Sequence, residues 1–178
     1  MGKASSSKKV ARAARAGVIF KGGVYLETLS RAKLAAFDKT GTLTTGRPEV
    51  TDVLPSPGHT WEELLSTAAS IESCSEHPLA TAVLNLAKSK GIDYPACSGF
   101  RAIPGKGAVA EIEGVIYYAG NRALFTEVGT VFDSVGQGLS ELEQSGKTPV
   151  IVGNRKEIIG VLAVADKVRD NAKITIER

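Results

Sequence analysis

Two short apolar runs that each close on an aspartate constrain this chain more than any other feature. One is Leu34–Phe37, ending on Asp38; the other is Gly160–Ala165, ending on Asp166. An apolar run of this kind is the pattern of a strand buried on both faces, and a parallel strand carries the polar residue that follows it to the carboxyl edge of its sheet. Open α/β sheets place ligands and reactive groups at that edge. A lone Asp after a strand ordinarily reads as a solvated loop acid. Here Lys39, Thr40, Gly41 and Thr42 follow at once, a cation, two hydroxyls and a glycine able to hold a phosphoryl group through side chains and backbone N–H groups.

The residues between the two runs read as a mixed α/β body beginning near Glu49, after a turn through Gly46 and Pro48. Thr60 and Glu63 have the spacing of a capping box, and Leu64, Leu65, Ala68 and Ile71 continue it at helical spacing, which predicts a helix from Trp61 to Glu72. Pro78 suits the first turn of a second helix, with Leu79, Val83 and Leu86 on one face and Gly91 as its stop. A hairpin is expected over 108–121 with its turn at Glu113-Gly114, then a short helix from Arg122. A further helix over 137–144 and two strands, TPVIVGN and EIIGVLAVAD, about a turn at Asn154 complete the body. Ahead of it, residues 1–9 read as a loose leader, VARAARAG as a helix ending at Gly17, and VIF as a short strand.

With 178 residues and 43% hydrophobic content, the chain can bury a real core as one or two domains. Its 22 Lys and Arg against 19 Asp and Glu leave a charge of +3, and the excess sits before the first apolar run. Such an arm is ordinarily a solvated face, so no nucleic-acid partner is expected. No apolar span approaches the ~20 residues of a membrane helix, so the chain is expected to be soluble as it stands. Cys74, Cys97, His59 and His77 are too few and scattered for a structural zinc site, and free thiols are expected. Two phosphate-loop patterns fail. GKGAVA (105–110) fits the Ala-ended dinucleotide pattern but leads into the alternating AVAEIE where a helix is required, and GKT (146–148) lacks the earlier glycine of a P-loop, Glu141 standing there.

DKTGTLT, Asp38–Thr44, resembles the phosphorylation signature of the P-type ATPases, ion pumps that pass through an aspartyl-phosphate. SEHPLA, Ser75–Ala80, resembles the His-Pro signature of their heavy-metal branch. The resemblance implies an α/β fold: a haloacid dehalogenase-like, Rossmann-like phosphorylation domain, incomplete here, interrupted by an α+β nucleotide-binding domain of antiparallel sheet and flanking helices. The expected divisions are a basic leader and linker over 1–30, phosphorylation-domain segments over 31–49 and 159–178, and the nucleotide-binding domain over 50–158.

The resemblance also implies roles. Asp38 would be the nucleophile toward the γ-phosphate of ATP, Lys39 and Thr40 would contribute charge and hydrogen bonds around the phosphoryl group, and Asp38 and Thr40 would hold Mg²⁺. Glu72, His77, Gly105, Gly107 and Asn121 match, in order, the family's nucleotide pocket, although Asn121 also reads as a plain helix N-cap. Asp166 and Arg169 match its D-x-x-R segment. The family's later catalytic Lys and GDGxND segment do not appear in these residues, so nucleotide binding without sustained turnover is expected of them. The parent would be an integral membrane pump with this part on the cytoplasmic side, joined to further pump domains and membrane helices. KGGVYLE, Lys21–Glu27, resembles the zinc, cadmium and lead exporters more than the copper pumps. A second class, a haloacid dehalogenase-like phosphatase, requires a second Asp two residues after the nucleophile as acid and base, and Thr40 stands there.

Overall fold

The computed structural model describes residues 10–130, 132 and 135–177. The leader expected over 1–9 lies outside them. The chain divides into two compact units, one ending at Asp38 and the other beginning at Lys39. The first holds helix α1 over 10–15, closed by a turn in which Gly17 has φ +81, and helix α2, Gly23–Leu29. Neither VIF nor Leu34–Phe37 forms a strand.

That second point corrects the sequence expectation. Leu34 is 88% and Phe37 48% exposed. A strand exists only where a neighbour accepts its ladder hydrogen bonds, and the described strands all pair among themselves elsewhere in the chain. Apolar character alone does not supply such a neighbour.

The second unit is one six-stranded sheet in the order β1-β6-β5-β4-β3-β2, antiparallel at every described pairing. Its strands are β1 Thr44–Pro55, β2 Ser98–Ile103, β3 Gly107–Ile112, β4 Val115–Gly120, β5 Thr148–Gly153 and β6 Ile158–Val168. Helices α3 Trp61–Glu72, α4 Pro78–Lys90, α5 Arg122–Val128, α6 Gly136–Gln144 and α7 Ala172–Ile176 connect or follow them. Among the described residues no helix is long and apolar enough to cross a membrane.

The helix starts follow from their caps. Thr60 accepts the Glu63 N–H through its hydroxyl, and the Glu63 carboxylate turns to His59 Nδ1 at 3.0 Å, so half of the expected capping box is made. Gly91, at φ +65, ends α4 in the left-handed conformation. The hairpin turn at Glu113-Gly114 has φ of +50 and +82, the pair of left-handed residues that matches the twist of two-residue hairpins.

Each face of the sheet carries its own core. On one, Leu64, Leu65, Ala68 and Ile71 of α3 and Val83 of α4 pack on Val150, Val152, Leu162 and Val164. On the other, Leu124 and Phe125 of α5 and Leu139 and Leu142 of α6 pack on Tyr118, Ile151 and Val161, with the Tyr118 and Phe125 rings edge-on at 6.3 Å. Strands β5 and β6 are buried on both sides, which is why their apolar runs are continuous. Gly160–Ala165 is a strand, as its apolar run implies, but one antiparallel to both neighbours. Continuity reports burial on both faces, and here helices cover an antiparallel sheet.

Candidate functional site

Of the residues matched to phosphoryl transfer, Asp38 is the last of the first unit, and Lys39 and Thr40 lie in the turn that opens the second. Residues Lys39–Leu43 form an irregular turn with Gly41 at φ +76, and Asp38, Lys39 and Thr40 are all exposed. The turn is fastened from β6. The Asp166 carboxylate accepts the Thr44 hydroxyl, the Thr45 hydroxyl, and the N–H groups of Gly46 and Arg47 at 3.2 and 3.1 Å. These donors, the Thr44 hydroxyl first, hold the Asp166 carboxyl below its ordinary range. Arg169 reaches the carbonyls of Thr42 and Thr44 through Nε at 3.1 and 2.9 Å, and that of Gly41 through Nη2 at 3.2 Å. The D-x-x-R pair thus shapes the loop after Lys39 by binding its backbone. Among the described residues no cluster of three or more His, Cys, Asp or Glu is placed to hold a metal ion.

The five residues matched to the nucleotide pocket meet in one cleft of about 360 Å³ in the second unit. Glu72, at the last turn of α3, is buried at 8% exposure, and burial raises its pKa while a hydrogen bond from Ser75 and the nearby His77 oppose the rise. A carboxylate at a helix C-terminus also faces the negative end of the dipole, so neither burial nor position favours its charge. Such a group in a cleft marks a candidate binding residue.

His77 is the N-cap of α4, its Nδ1 accepting the Leu79 N–H at 3.2 Å. In the neutral ring this fixes the proton on Nε2, which leaves a donor at the far edge of an exposed imidazole. The Ser75 hydroxyl also accepts the His77 N–H at 3.3 Å, so one hydroxyl ties the two polar residues together.

The two glycines serve different purposes. Gly105, at φ +72 with open space where a Cβ would stand, follows Pro104 in the turn between β2 and β3, closed by Lys106 N–H to Ile103 C=O at 3.0 Å. A ligand can approach there. At Gly107, φ +145, a Cβ would lie 2.1 Å from the Ala119 carbonyl oxygen and 2.5 Å from the Gly120 Cα. The missing Cβ of Gly107 thus admits β4. Asn121 is the N-cap of α5, accepting the Leu124 N–H at 3.1 Å, and its Nδ2 donates to the Gly105 carbonyl at 2.9 Å. The capping reading of Asn121 holds, and the same amide fixes the Gly105 turn.

Sequence reasoning missed Phe100 and Lys106, which also line the cleft. Phe100 comes from β2, a strand whose apolar residues do not alternate and so gave no period-2 signal. Lys106 ion-pairs with Glu127 at 2.5 Å.

A six-stranded sheet covered by helices, a fastened DKTGTLT loop and this cleft agree with a family model that matches residues 32–178, described as haloacid dehalogenase-like hydrolase. The chain belongs to the haloacid dehalogenase-like hydrolases. Within them it resembles the heavy-metal pumps that its motifs pointed to. It is 42% identical over 95% of its length to a probable cadmium-transporting ATPase of Alkalihalophilus pseudofirmus, covering 24% of that protein. It is 39% identical over 91% of its length to a probable copper-importing P-type ATPase A of Enterococcus hirae, covering 22% of it. The crystal structure of a zinc-transporting PIB-type ATPase in the E2.Pi state superposes with a TM-score of 0.81 at 36% identity, covering 94% of this chain and 27% of that one. The chain thus spans about a quarter of the length of these relatives.

Proposed function

We propose that this chain is the ATP-binding and phosphoryl-accepting part of a heavy-metal-transporting P-type ATPase. The observation that carries the reading is the meeting of Glu72, His77, Gly105 and Asn121 on one cleft, residues picked out in sequence by a pump motif and spread over three connections. The cleft's volume lies in the ~300–1,000 Å³ range of small-molecule sites. It suits a purine nucleoside. The Glu72 carboxylate accepts from an exocyclic amine, His77 Nε2–H donates to a ring nitrogen or stacks through its π-face, and the open side of Gly105 admits the ligand against backbone.

Asp38 is the nucleophile in this reading. Its carboxylate oxygen forms a bond to the γ-phosphorus of ATP, the bond from that phosphorus to the β-bridging oxygen breaks, and ADP leaves. Lys39 supplies positive charge to the transferred group, and the backbone of the loop held by Asp166 and Arg169 orients it. Mg²⁺ would neutralise phosphate charge, with Asp38 and Thr40 as its candidate ligands here. Thr40 cannot act as the acid and base of a phosphatase, which favours a lasting aspartyl-phosphate and a pump over a stand-alone hydrolase. The domain divisions proposed are 31–49 and 159–178 for phosphorylation and 50–158 for nucleotide binding. For the ion we infer the zinc, cadmium and lead class, on the KGGVYLE stretch. The near-equal identities to cadmium and copper transporters carry no choice.

Calorimetric titration with ATP tests the cleft. His77→Asn keeps an acceptor for the Leu79 N–H but removes the ring, so it should fold normally and bind ATP about tenfold or more weakly. Unchanged affinity would remove His77 from the site. In the pump that contains this chain, γ-labelled ATP should give an acid-stable, hydroxylamine-sensitive label, absent from Asp38→Asn because an amide is not a nucleophile. Label persisting in Asp38→Asn would assign the phosphoryl group to another residue.

A further inference from the structure

The loop between α3 and α4 and the stretch ahead of β2 each carry a thiol that the nucleotide reading leaves unused. Cys74, exposed on that loop, and Cys97, partly buried just before β2, are both free thiols, and their Sγ atoms stand 2.9 Å apart. The contact has structural support on both sides. Cys74 follows directly from the end of α3. The stretch leading to Cys97 is tied to the same helix, the Ser66 hydroxyl donating to the Asp93 carbonyl at 2.9 Å and the Ser70 hydroxyl to the Pro95 carbonyl at 2.7 Å. One helix therefore sets the positions of both sulfurs.

Neither sulfur lines the cleft, but each is close in the chain to residues that do. Cys74 lies between Glu72 and Ser75, and Cys97 leads into the strand that brings Phe100 and Ala102 to the cleft wall. A disulfide bond is ~2.05 Å long, so joining the sulfurs needs a closure of less than about 1 Å. Cys74 is exposed and Cys97 partly buried, so an oxidant in solution meets Cys74 first, and burial first and then the neighbouring Cys74 push the Cys97 thiol up.

We propose that Cys74 and Cys97 form a reversible dithiol–disulfide site beside the cleft, taking a small-molecule disulfide as oxidant, and that closing it weakens nucleotide binding. With a disulfide RSSR, the Cys74 thiolate attacks one sulfur and RS⁻ leaves. The Cys97 thiolate then attacks the Cys74 sulfur of the mixed disulfide and expels the second RS⁻. The two cysteines lose two electrons and two protons, and RSSR becomes two RSH. The effect on binding rests on the nucleotide reading above. It runs through Ser75, next to Cys74 in the chain, whose hydroxyl bonds both the Glu72 carboxylate and the His77 N–H, so drawing Cys74 toward β2 disturbs both polar groups of the cleft.

The test uses the chain with a chelator present, incubated with oxidised glutathione and read by intact mass, thiol titration and calorimetry with ATP. Both thiols should disappear together, the mass should fall by two hydrogens without dimer formation, and dithiothreitol should restore both thiols. The disulfide form should bind ATP about threefold or more weakly than the dithiol form. Cys97→Ser should stop at a glutathione adduct on Cys74. Separate adducts on both cysteines, or links between copies, would overturn the site. A disulfide that forms while ATP affinity stays the same would overturn the coupling alone. A dithiol form that binds no ATP would overturn the nucleotide reading and the coupling with it, leaving the mass result to decide the disulfide.

Discussion

At Glu72 the fold places a carboxylate where its charge is unfavourable. Burial is the largest cause of its raised pKa, so ionising it opposes folding. Below the ordinary value of 4.5 the group is protonated in both folded and unfolded chains and contributes nothing. As pH rises past that value the unfolded chain ionises first, and the fold loses stability until the raised folded value is passed. Glu72→Gln should therefore raise the melting temperature at neutral pH, and the gain should vanish in acid. The same substitution should weaken ATP binding, since a uniformly acceptor group becomes half donor. A pH series of thermal melts beside ATP titrations checks both signs. Loss of stability at neutral pH would show that the Ser75 hydrogen bond outweighs desolvation.

Among the elements, α5 and the turn between β2 and β3 depend on one side chain. Asn121 caps α5 through its oxygen and holds the Gly105 carbonyl through its nitrogen. Asn121→Ala should cost about 1 kcal/mol for the cap, with a further loss from the freed turn, and should weaken ATP binding. Asn121→Asp separates the two effects. It keeps the acceptor and so most of the stability, but lacks the donor to Gly105, so ATP affinity should still fall. Chemical denaturation of the two variants beside titration of each decides this. If both bind ATP as the parent chain does, the Gly105 turn holds its shape through backbone bonds alone.

For the second unit as a whole, the two cores make stability and binding separable. The cleft is lined from α3, α4 and strands β2 to β5, with Asn121 at the start of α5, whereas Phe125, fully buried, belongs to the core of the opposite sheet face. Phe125→Ala should cost about 3–5 kcal/mol through the lost contacts and the cavity left behind. Well below its lowered melting temperature, the variant should bind ATP with close to the parent affinity. Denaturant melts combined with calorimetry at low temperature measure the pair. A parallel collapse of affinity would mean that the two faces of the sheet do not act independently.

Local chemistry made a good part of this legible in sequence. The helix Trp61–Glu72, the start of α4 at Pro78 and its stop at Gly91, and the hairpin turn at Glu113-Gly114 each rest on caps and turns that act within a few residues, so the sequence needed no partner to specify them. The gathering of Glu72, His77 and Gly105 was visible as an ordered set of residues. What the sequence could not decide was whatever depends on a neighbour distant in the chain. Leu34–Phe37 has the composition of a strand and stays exposed, because a strand is defined by the ladder beside it. Gly160–Ala165 has the apolar continuity of a parallel strand and lies between two antiparallel ones, because continuity records coverage of both faces and is blind to direction. Gly107 is glycine for the sake of Ala119 and Gly120, and Cys74 meets Cys97 because Ser66 and Ser70 hold the intervening stretch to α3. Those contacts exist only once the chain has folded, and tertiary structure alone determined them.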